Sequence, residues 1–239
     1  MFSTSISYFS KKDHYDLREF ISKYEGWFVN GTDAPKVLIP MNEIILQRFY
    51  EFKPTNLITQ ETINGWQLRY DIVENRMLIP IRDYNLRLVG IRGRYLGPDQ
   101  NILRWKVYKE LNKESADSKY SGVWLGMHRV LDVDSNIVLM EGDRDVILAT
   151  QAGIPNVWGS MGATLSKAQL ETLQKYNKPI TLFMDNDCAG EGGAKQIYNA
   201  MKGLVPIYKV MNYYGCKDPA ELYEKGLLEK AMSSVELLA

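Results

Sequence analysis

Two stretches of the sequence, NIVLME at residues 136–141 and PITLFMDND at residues 179–187, share one form: a short apolar run that ends in carboxylates. Apolar runs of this length are typical of buried strands. Both stretches lie in a longer region, residues 136–229, in which strand-like and helix-like segments alternate. Such alternation predicts a parallel, right-handed α/β sheet with flanking helices.

Signals for the ends of helices separate the apolar runs. Ser166 and Gln169 form a capping box at the start of SKAQLETLQKY, and this pattern predicts the first turn of a helix. Asp218 followed by Pro219 predicts the start of another helix. The predicted strands are residues 136–140, 155–158, 179–184 and 206–211, and the predicted helices are residues 143–152, 166–176, 190–202 and 218–226.

Acidic residues follow the predicted strands. Glu141 comes directly after the first strand, Asp185 and Asp187 after the third, and Asp218 after the fourth, while Asp145 lies one helical step beyond Glu141. Ligands of parallel α/β sheets bind beyond the carboxyl ends of the strands. Carboxylates gathered there repel one another strongly, and Mg²⁺ prefers oxygen ligands. The sequence therefore predicts a site for divalent cations at this edge of the sheet.

A structural alternative exists for part of this acidic set. Glu141, Asp145 and Asp218 stand near predicted helix starts, where acidic residues commonly cap backbone N–H groups. For Asp218 the capping role and the ligand role are compatible. Asp185 and Asp187 follow a fully apolar strand and precede the small residues CAG, which favours the metal-binding interpretation for this pair.

The overall composition excludes some kinds of site. Lysine plus arginine equals aspartate plus glutamate, 29 each, so a basic surface has to come from the segregation of charge and not from its excess. Two cysteines and two isolated histidines do not supply the four ligands of a zinc ribbon, and no zinc site is predicted in this chain. The apolar runs are too short to cross a membrane, and the sequence starts without the pattern of a secretion signal. We therefore expect no membrane association and a cytoplasmic location.

The upstream half is β-rich. RMLIPIRDYNLRLVGIRGRYLG at residues 76–97 predicts two strands joined by a turn, and residues 101–108 predict a further strand. Thr59 is a possible cap for a helix within residues 59–68. Arg92 and Arg94 alternate with glycines in the second strand, and glycine there permits close approach of another backbone or a ligand.

Four motifs of the downstream region resemble the successive motifs of the Toprim domain. They are MEGDRDVILATQAG, VWGSMGATLSKAQLETL, LFMDNDCAGEGGAKQI and KDPAELYEKG, which start at residues 140, 157, 182 and 217. This domain is shared by bacterial-type primases, type IA and II topoisomerases, recombination-repair proteins and some nucleases. Its pattern is a glutamate after the first strand and a DxD after the third, here Glu141 and Asp185/Asp187.

The upstream string is similar to the segment that precedes Toprim in bacterial-type primases, including its glycine-arginine element. The resemblance covers roughly residues 50 to 230. It implies an α/β chain with an α+β N-terminal subdomain (residues 1–133), followed by a Toprim Rossmann-like parallel sheet with flanking helices and a C-terminal helix (residues 134–239). It also implies the catalytic core of a DNA primase, which makes short RNA primers on single-stranded DNA by metal-dependent nucleotidyl transfer.

The resemblance assigns roles to particular residues. Glu141, Asp185 and Asp187 are the implied catalytic residues, and Glu141 acts as a metal ligand or as a general base. The implied metal set adds two residues to these three, Asp145 and Asp218. The implied basic face that holds template and nucleotides consists of Arg76, Arg92, Arg94, Lys106 and Lys119. For any single member of that face, the structural alternative is a solvated surface cation.

Cofactors and partners follow from the same resemblance. We expect two or more Mg²⁺ or Mn²⁺ ions, a single-stranded DNA template, ribonucleoside triphosphates and an RNA primer. A zinc-binding domain and a replicative helicase are expected to be supplied from outside this chain. A Toprim-type nuclease and a non-catalytic Toprim DNA-binding module are the alternatives to a primase. A topoisomerase needs strand-gating domains for which this chain is too short.

Overall fold

The structure is a computed structural model that describes residues 38–40, 58–71, 74–107, 122–129, 134–162 and 164–238. The chain divides into two compact units. One comprises Met1–Pro54, Thr59–Ile81 and Leu88–Ala116, and the other comprises Thr55–Ile58, Arg82–Arg87 and Asp117–Ala239. The subdomain boundary predicted between residues 133 and 134 stays a prediction.

The first sheet has five strands in the order β1-β2-β3-β4-β5. Their bounds are β1 Leu38–Pro40, β2 Arg69–Asp71, β3 Arg76–Arg82, β4 Leu88–Tyr95 and β5 Trp105–Val107. β1 pairs with β2, β2 with β3, and β4 with β5, all antiparallel. The two predicted strands of the upstream string are therefore present as β3 and β4, whereas β5 is shorter than predicted.

One described helix, α1 (Gln60–Gly65), accompanies the first sheet. The predicted cap is confirmed, because the Thr59 side chain accepts a hydrogen bond from the backbone N–H of Thr62 at 3.2 Å. Ile63 of this helix is fully buried, as are Leu78 and Ile79 of β3. Burial of such side chains contributes about 1.5–3 kcal/mol each and holds this unit together.

The second sheet has the order β10-β9-β8-β6-β7. Its strands are β6 Ile137–Met140, β7 Val157–Gly159, β8 Ile180–Leu182, β9 Ile207–Val210 and β10 Val235–Leu237. The helices are α2 Asp143–Gln151, α3 Lys167–Tyr176, α4 Cys188–Met201, α5 Pro219–Glu224 and α6 Leu228–Met232. β6, β7, β8 and β9 are parallel, which confirms the predicted parallel sheet and its alternation with helices.

The predicted helix caps are present in this unit. Ser166 and Gln169 form both bonds of the capping box at the start of α3. Asp218 caps α5, with Pro219 at its first position. Local sequence therefore specifies where these helices begin.

The end of the described chain differs from the expected one. The prediction placed a C-terminal helix after the parallel strands, and α6 is present, but it is followed by β10. This strand pairs antiparallel with β9, Val235 opposite Val210. β10 has only three residues, of which Glu236 and Leu237 are exposed, so its pairing and not a hydrophobic pattern defines it.

The order of the parallel strands sets the position of the candidate site. From β6 the chain passes to β7 on one side, and it then returns to β8 on the other side of β6. Such a topological switch point leaves a crevice at the carboxyl ends of the two central strands, where ligands bind. Glu141 follows β6 and Asp185 lies three residues beyond β8. No helix in the described part of the chain combines the length and apolar character needed to span a bilayer.

Candidate functional site

Asp185 is the centre of the acidic group at the switch point. Burial, and then the charges of Asp145, Glu141, Asp218 and Asp187, together raise the pKa of Asp185 to about 8. The five predicted carboxylates therefore lie within electrostatic reach of one residue. The folded chain brings the whole predicted acidic set together.

Two oxygens of this group, Oδ1 of Asp185 and Oε2 of Glu141, are buried and have no hydrogen-bond partner among the described residues. Burial also raises the pKa of Glu141, with a further contribution from the charge of Asp187. An unsatisfied buried carboxylate oxygen is costly. Such atoms are candidates for coordination to a cation.

Asp145 is nearly fully buried and connects two helices. Its Oδ1 accepts the backbone N–H of Ala220 in α5 at 2.8 Å. Burial and the charge of Asp218 raise the pKa of Asp145, hydrogen bonds from the Ala220 and Gly142 backbones and the charge of Arg144 lower it, and the net result is a pKa of about 7. Gly142 has to be a glycine here, because a Cβ at this position would lie 2.3 Å from Oδ2 of Asp145.

Asp187 and Asp218 also begin helices. Oδ1 of Asp187 accepts the backbone N–H of Gly190 at 2.8 Å, and Oδ1 of Asp218 accepts that of Glu221 at 2.7 Å. The capping alternative is thus realised for Asp218, and a cap that the sequence did not indicate is found at Asp187. A carboxylate has two oxygens and about four acceptor sites, so these caps are compatible with binding a cation.

Gly190 is a residue of the site that sequence reasoning did not single out. A Cβ at Gly190 would lie 2.0 Å from the carbonyl oxygen of Asp185 and 2.9 Å from its backbone nitrogen. The first turn of α4 therefore packs directly on the backbone that carries Asp185. The glycine three residues after the DxD was the signal that could have revealed this contact.

The loop between β9 and α5 is hydrogen-bonded to the aspartate segment. The backbone N–H of Asn186 donates to the carbonyl of Lys217 at 2.7 Å, and its side-chain amide donates to the carbonyl of Cys216 at 3.2 Å. The hydroxyl of Tyr213 donates to the carbonyl of Met184 at 2.5 Å. Neither Asn186 nor Tyr213 was predicted to belong to the site.

The charge of the acidic group suits a divalent cation, but its side chains are not arranged as a complete coordination sphere. Within the described ranges, no three His, Cys, Asp or Glu side chains lie together in a way that could hold a metal ion. The raised pKa values of Asp145 and Asp185 and the two unpartnered oxygens show that the group lacks positive charge. A divalent cation supplies that charge, so the residues present fit such an ion.

The predicted basic residues fall into two groups in the first sheet. Arg92 and Arg94 lie on the same face of β4, each with only 8% of its surface exposed. Their guanidinium carbons lie 4.7 Å and 5.8 Å from the centre of the Trp105 ring. These distances are within the range of cation–π attraction.

Arg76 and Lys106 form the second group, which is built around Glu74. Lys106 Nζ lies 2.6 Å from Glu74 Oε1, and Arg76 Nε lies 3.2 Å from Glu74 Oε2. Lys106 stands opposite Gly93, whereas Trp105 stands opposite Arg94. Because side chains alternate along a strand, Lys106 leaves β5 on the face away from the Arg94 face. Lys119 lies outside the described residues.

The chain is similar to known proteins in sequence and in fold. Residues 138–223 match a protein-family model described as Toprim-like. The chain is 34% identical over 141 residues to a DNA primase of Legionella pneumophila, covering 57% of this chain and 23% of that protein. It is 28% identical over 171 residues to a DNA primase of Clostridium acetobutylicum, covering 70% of this chain and 27% of that protein. The chain thus spans about a quarter of the length of these relatives.

A solved structure shows the same fold. The DnaG primase catalytic domain bound to single-stranded DNA aligns with a TM-score of 0.63 at 16% identity, covering 95% of this chain and 80% of that one. The chain therefore has an α/β fold, and residues 138–223 of it are similar to a Toprim-like domain. The resemblance of the chain to bacterial-type DNA primases with a Toprim domain is confirmed.

Proposed function

We propose that this chain is the catalytic core of a DNA primase, which synthesises short RNA primers on single-stranded DNA by metal-dependent nucleotidyl transfer. The observation that carries the proposal is the convergence of Glu141, Asp185 and three further carboxylates at the switch point of a Toprim-like sheet. Sequence similarity to DNA primases over 57% and 70% of this chain supports it.

The acidic group would hold the divalent ions. Asp185 and Asp187 are the proposed principal ligands with Glu141, and Asp145 and Asp218 complete or support the shell. Bound Mg²⁺ or Mn²⁺ supplies Lewis-acid stabilisation of the oxygens that attack and leave during in-line transfer of a nucleotide. The raised pKa of Glu141 also brings this carboxyl closer to the working range of a general base.

The arginines of β4 are the proposed contacts to template or triphosphate. Arg92 and Arg94 project from one face, and both guanidinium groups lie close to the ring of Trp105. An arginine fork binds phosphate oxygens in pairs, and an aromatic ring beside cations is suited to stacking on a base. Arg76 and Lys106 are held by Glu74 and are proposed to contact phosphate from the other face. The assignment of Lys119 rests on the resemblance alone.

The proposed partners follow from the same reaction. They are single-stranded DNA, ribonucleoside triphosphates and the nascent primer, with a zinc-binding domain and a replicative helicase supplied from outside this chain. A cytoplasmic location is proposed with them.

One assay tests the proposal against its two alternatives. The chain is incubated with single-stranded DNA, labelled ribonucleotides and Mg²⁺ or Mn²⁺. Short labelled RNA supports a primase, cut DNA without incorporation indicates a Toprim-type nuclease, and neither product indicates a binding module. Asp185→Asn should abolish the product. Glu191→Gln, which changes an exposed carboxylate in the first turn of α4, is the matched control and should leave it unchanged.

A further inference from the structure

We infer that Asn186 and Tyr213 are positioning residues. Their hydrogen bonds connect the loop that ends at Asp218 to the segment that contains Asp185. These bonds hold the metal-binding carboxylates in place before any cation binds. This inference rests on the proposed function, because it concerns the metal ligands of the same site. Asn186, the middle residue of the DND motif, thereby serves the site by geometry and not by charge.

The hydrogen bonds flank the aspartate on both sides. Met184, directly before Asp185, accepts the Tyr213 hydroxyl at 2.5 Å. Asn186, directly after Asp185, donates through its backbone N–H to Lys217 at 2.7 Å. The peptide units on either side of Asp185 are therefore both tied to the β9–α5 loop, residues 211–218.

The same bonds end next to the second ligand. The Asn186 side-chain amide donates to the carbonyl of Cys216 at 3.2 Å, and its backbone N–H reaches the following carbonyl. Both acceptors stand within two residues of Asp218 in the sequence. One asparagine thus holds two consecutive carbonyls of the loop, and this fixes the spacing between Asp185 and Asp218.

The repulsion between carboxylates explains why hydrogen bonds are needed to hold these two segments together. Asp218 is among the charges that raise the pKa of Asp185, so the two carboxylates repel each other in the absence of a cation. The three hydrogen bonds oppose that repulsion and involve only uncharged groups. Tyr213 is buried and packs edge-on against Phe183, with ring centres 5.5 Å apart, which makes the loop side of this connection rigid.

A site fixed in advance binds its cation more tightly than one that has to be assembled. Groups that orient metal ligands typically change metal affinity by about 10- to 100-fold when they are removed. We expect the Asn186→Ala variant to lie near the lower end of that range, because its backbone N–H still donates to Lys217.

The experiment measures Mn²⁺ binding by titration calorimetry, together with the Mn²⁺ dependence of primer synthesis and thermal unfolding in a chelator. Asn186→Ala should weaken Mn²⁺ binding about tenfold and raise the Mn²⁺ concentration for half-maximal synthesis by the same factor. Its maximal rate at saturating Mn²⁺ should stay near that of the unsubstituted chain, because excess cation restores the arrangement of the ligands. Tyr213→Phe removes only the hydroxyl and should weaken Mn²⁺ binding in the same direction.

Gln174→Ala is the matched control. Gln174 is also an exposed amide that donates to a backbone carbonyl of a neighbouring element, Ala200 at 3.1 Å, and this bond lies near the C-terminal end of α4, whereas the aspartate segment lies at the start of that helix. Mn²⁺ binding by this variant should equal that of the unsubstituted chain.

Unchanged Mn²⁺ affinity in both Asn186→Ala and Tyr213→Phe would overturn the inference, as would a lower melting temperature without any change in Mn²⁺ affinity. A chain that binds Mn²⁺ with the expected dependence on Asn186 but makes no RNA would instead refute the primase function and leave the positioning role standing. Failure of the unsubstituted chain to bind Mn²⁺ would overturn both.

Discussion

Two sets of like charges lie on the β-sheets of this chain. One is the acidic group beyond β6 and β8, and the other is the basic residues of β4 and β5. The two sets differ in how far neighbouring groups neutralise their charges. Burial and four neighbouring charges all raise the pKa of Asp185, and its Oδ1 has no hydrogen-bond partner within the part of the chain that the structure describes. By contrast, Lys106 is paired with Glu74, and Arg94 lies over Trp105. The acidic group therefore needs a cation from outside, whereas the basic residues are stabilised within the sheet.

The largest effect should come from removing the acidic centre. The double substitution Asp185→Ala with Asp187→Ala should abolish both Mn²⁺ binding and primer synthesis, because the principal ligands are lost. The chain should still fold, since Asp187 is exposed and Asp185 is only partly buried. Binding is measured by calorimetry, synthesis by incorporation of labelled ribonucleotides, and folding by circular dichroism. Near-normal incorporation by the folded double variant would remove the metal assignment.

The second effect is a dependence of stability on pH that is specific to the acidic group. The pKa values of Asp145 and Asp185 are raised in the folded chain, to about 7 and about 8. The stabilisation that protonated Asp145 and Asp185 provide is therefore fully present below their ordinary pKa near 4, and it is lost as the pH rises through 7 to 8. In a chelating buffer the melting temperature should fall between pH 5 and pH 8 because of these groups.

Asp185→Asn isolates the contribution of one carboxylate. This variant should melt a few degrees higher than the unsubstituted chain at pH 8 in chelator, since 1 kcal/mol shifts the melting temperature of a chain of this size by about 2–4 °C. At pH 4 the difference should largely vanish, because both forms are then neutral at this position. Saturating Mg²⁺ should reverse the order at pH 8, as only the unsubstituted chain gains from binding the ion. Equal melting profiles across this pH range would contradict the raised pKa of Asp185.

The acidic group was predictable from the sequence because two local rules determine it. Apolar strand runs locate the carboxyl ends of the sheet, and acidic residues directly after them face the same crevice. The helix starts at Ser166 and Asp218 were predictable for a similar reason, since a cap depends on residues within one turn. Glu141, Asp185 and Asp218 therefore lie together at the edge of the sheet that the pattern predicted.

Features that depend on long-range contacts were not predictable. The side-chain hydrogen bonds of Tyr213 and Asn186 join residues that are 29 and 30 positions apart in the sequence, and no local pattern marks them. β10 is formed by pairing with β9 and has two exposed residues out of three, so it lacks a hydrophobic pattern. The division of the basic residues between two faces was foreseeable in principle, because Lys106 and Trp105 are adjacent and must point to opposite sides of β5.

The third effect concerns Arg94, one of the basic residues that are stabilised by contacts within the first sheet. Arg94→Ala should reduce primer synthesis about ten- to hundredfold, the cost of a lost charge-assisted hydrogen bond or two. Loss of the contact with Trp105 should cost about 2 kcal/mol of stability, because Arg94 is buried and the cation–π attraction is larger for a desolvated pair. Arg94→Lys should restore part of the activity at most, since a point charge does not reproduce the guanidinium fork. A lower melting temperature with full synthesis per folded molecule would show that Arg94 is only a packing residue.

A smaller effect is expected in the salt dependence of DNA binding. Affinity for single-stranded DNA should fall steeply with salt, by a slope of about 0.7 in log K against log salt for each phosphate contact. Arg94→Ala should reduce that slope by about 0.7 if this arginine contacts one phosphate. Lys167→Ala removes a side chain that is 91% exposed and paired within α3, and it serves as the control with an unchanged slope. Fluorescence anisotropy at several salt concentrations gives both values.

The smallest effect should come from a cap that lies outside both charged groups. Ser166 accepts the backbone N–H of Gln169 at 3.1 Å, and the Gln169 side chain accepts that of Ser166 at 3.0 Å. Ser166→Ala removes the first bond, which should cost about 1 kcal/mol and lower the melting temperature by about 2–4 °C. Mn²⁺ affinity and primer synthesis should not change, because neither residue is part of the acidic group or of the arginine face. Ser166→Asp should recover most of the lost stability, since aspartate is an equally good cap. Reduced Mn²⁺ affinity in a well-folded Ser166→Ala variant would show that general loosening of this unit is enough to disturb the acidic group. The effects expected at Asp185 and Asn186 would then not be specific to those residues.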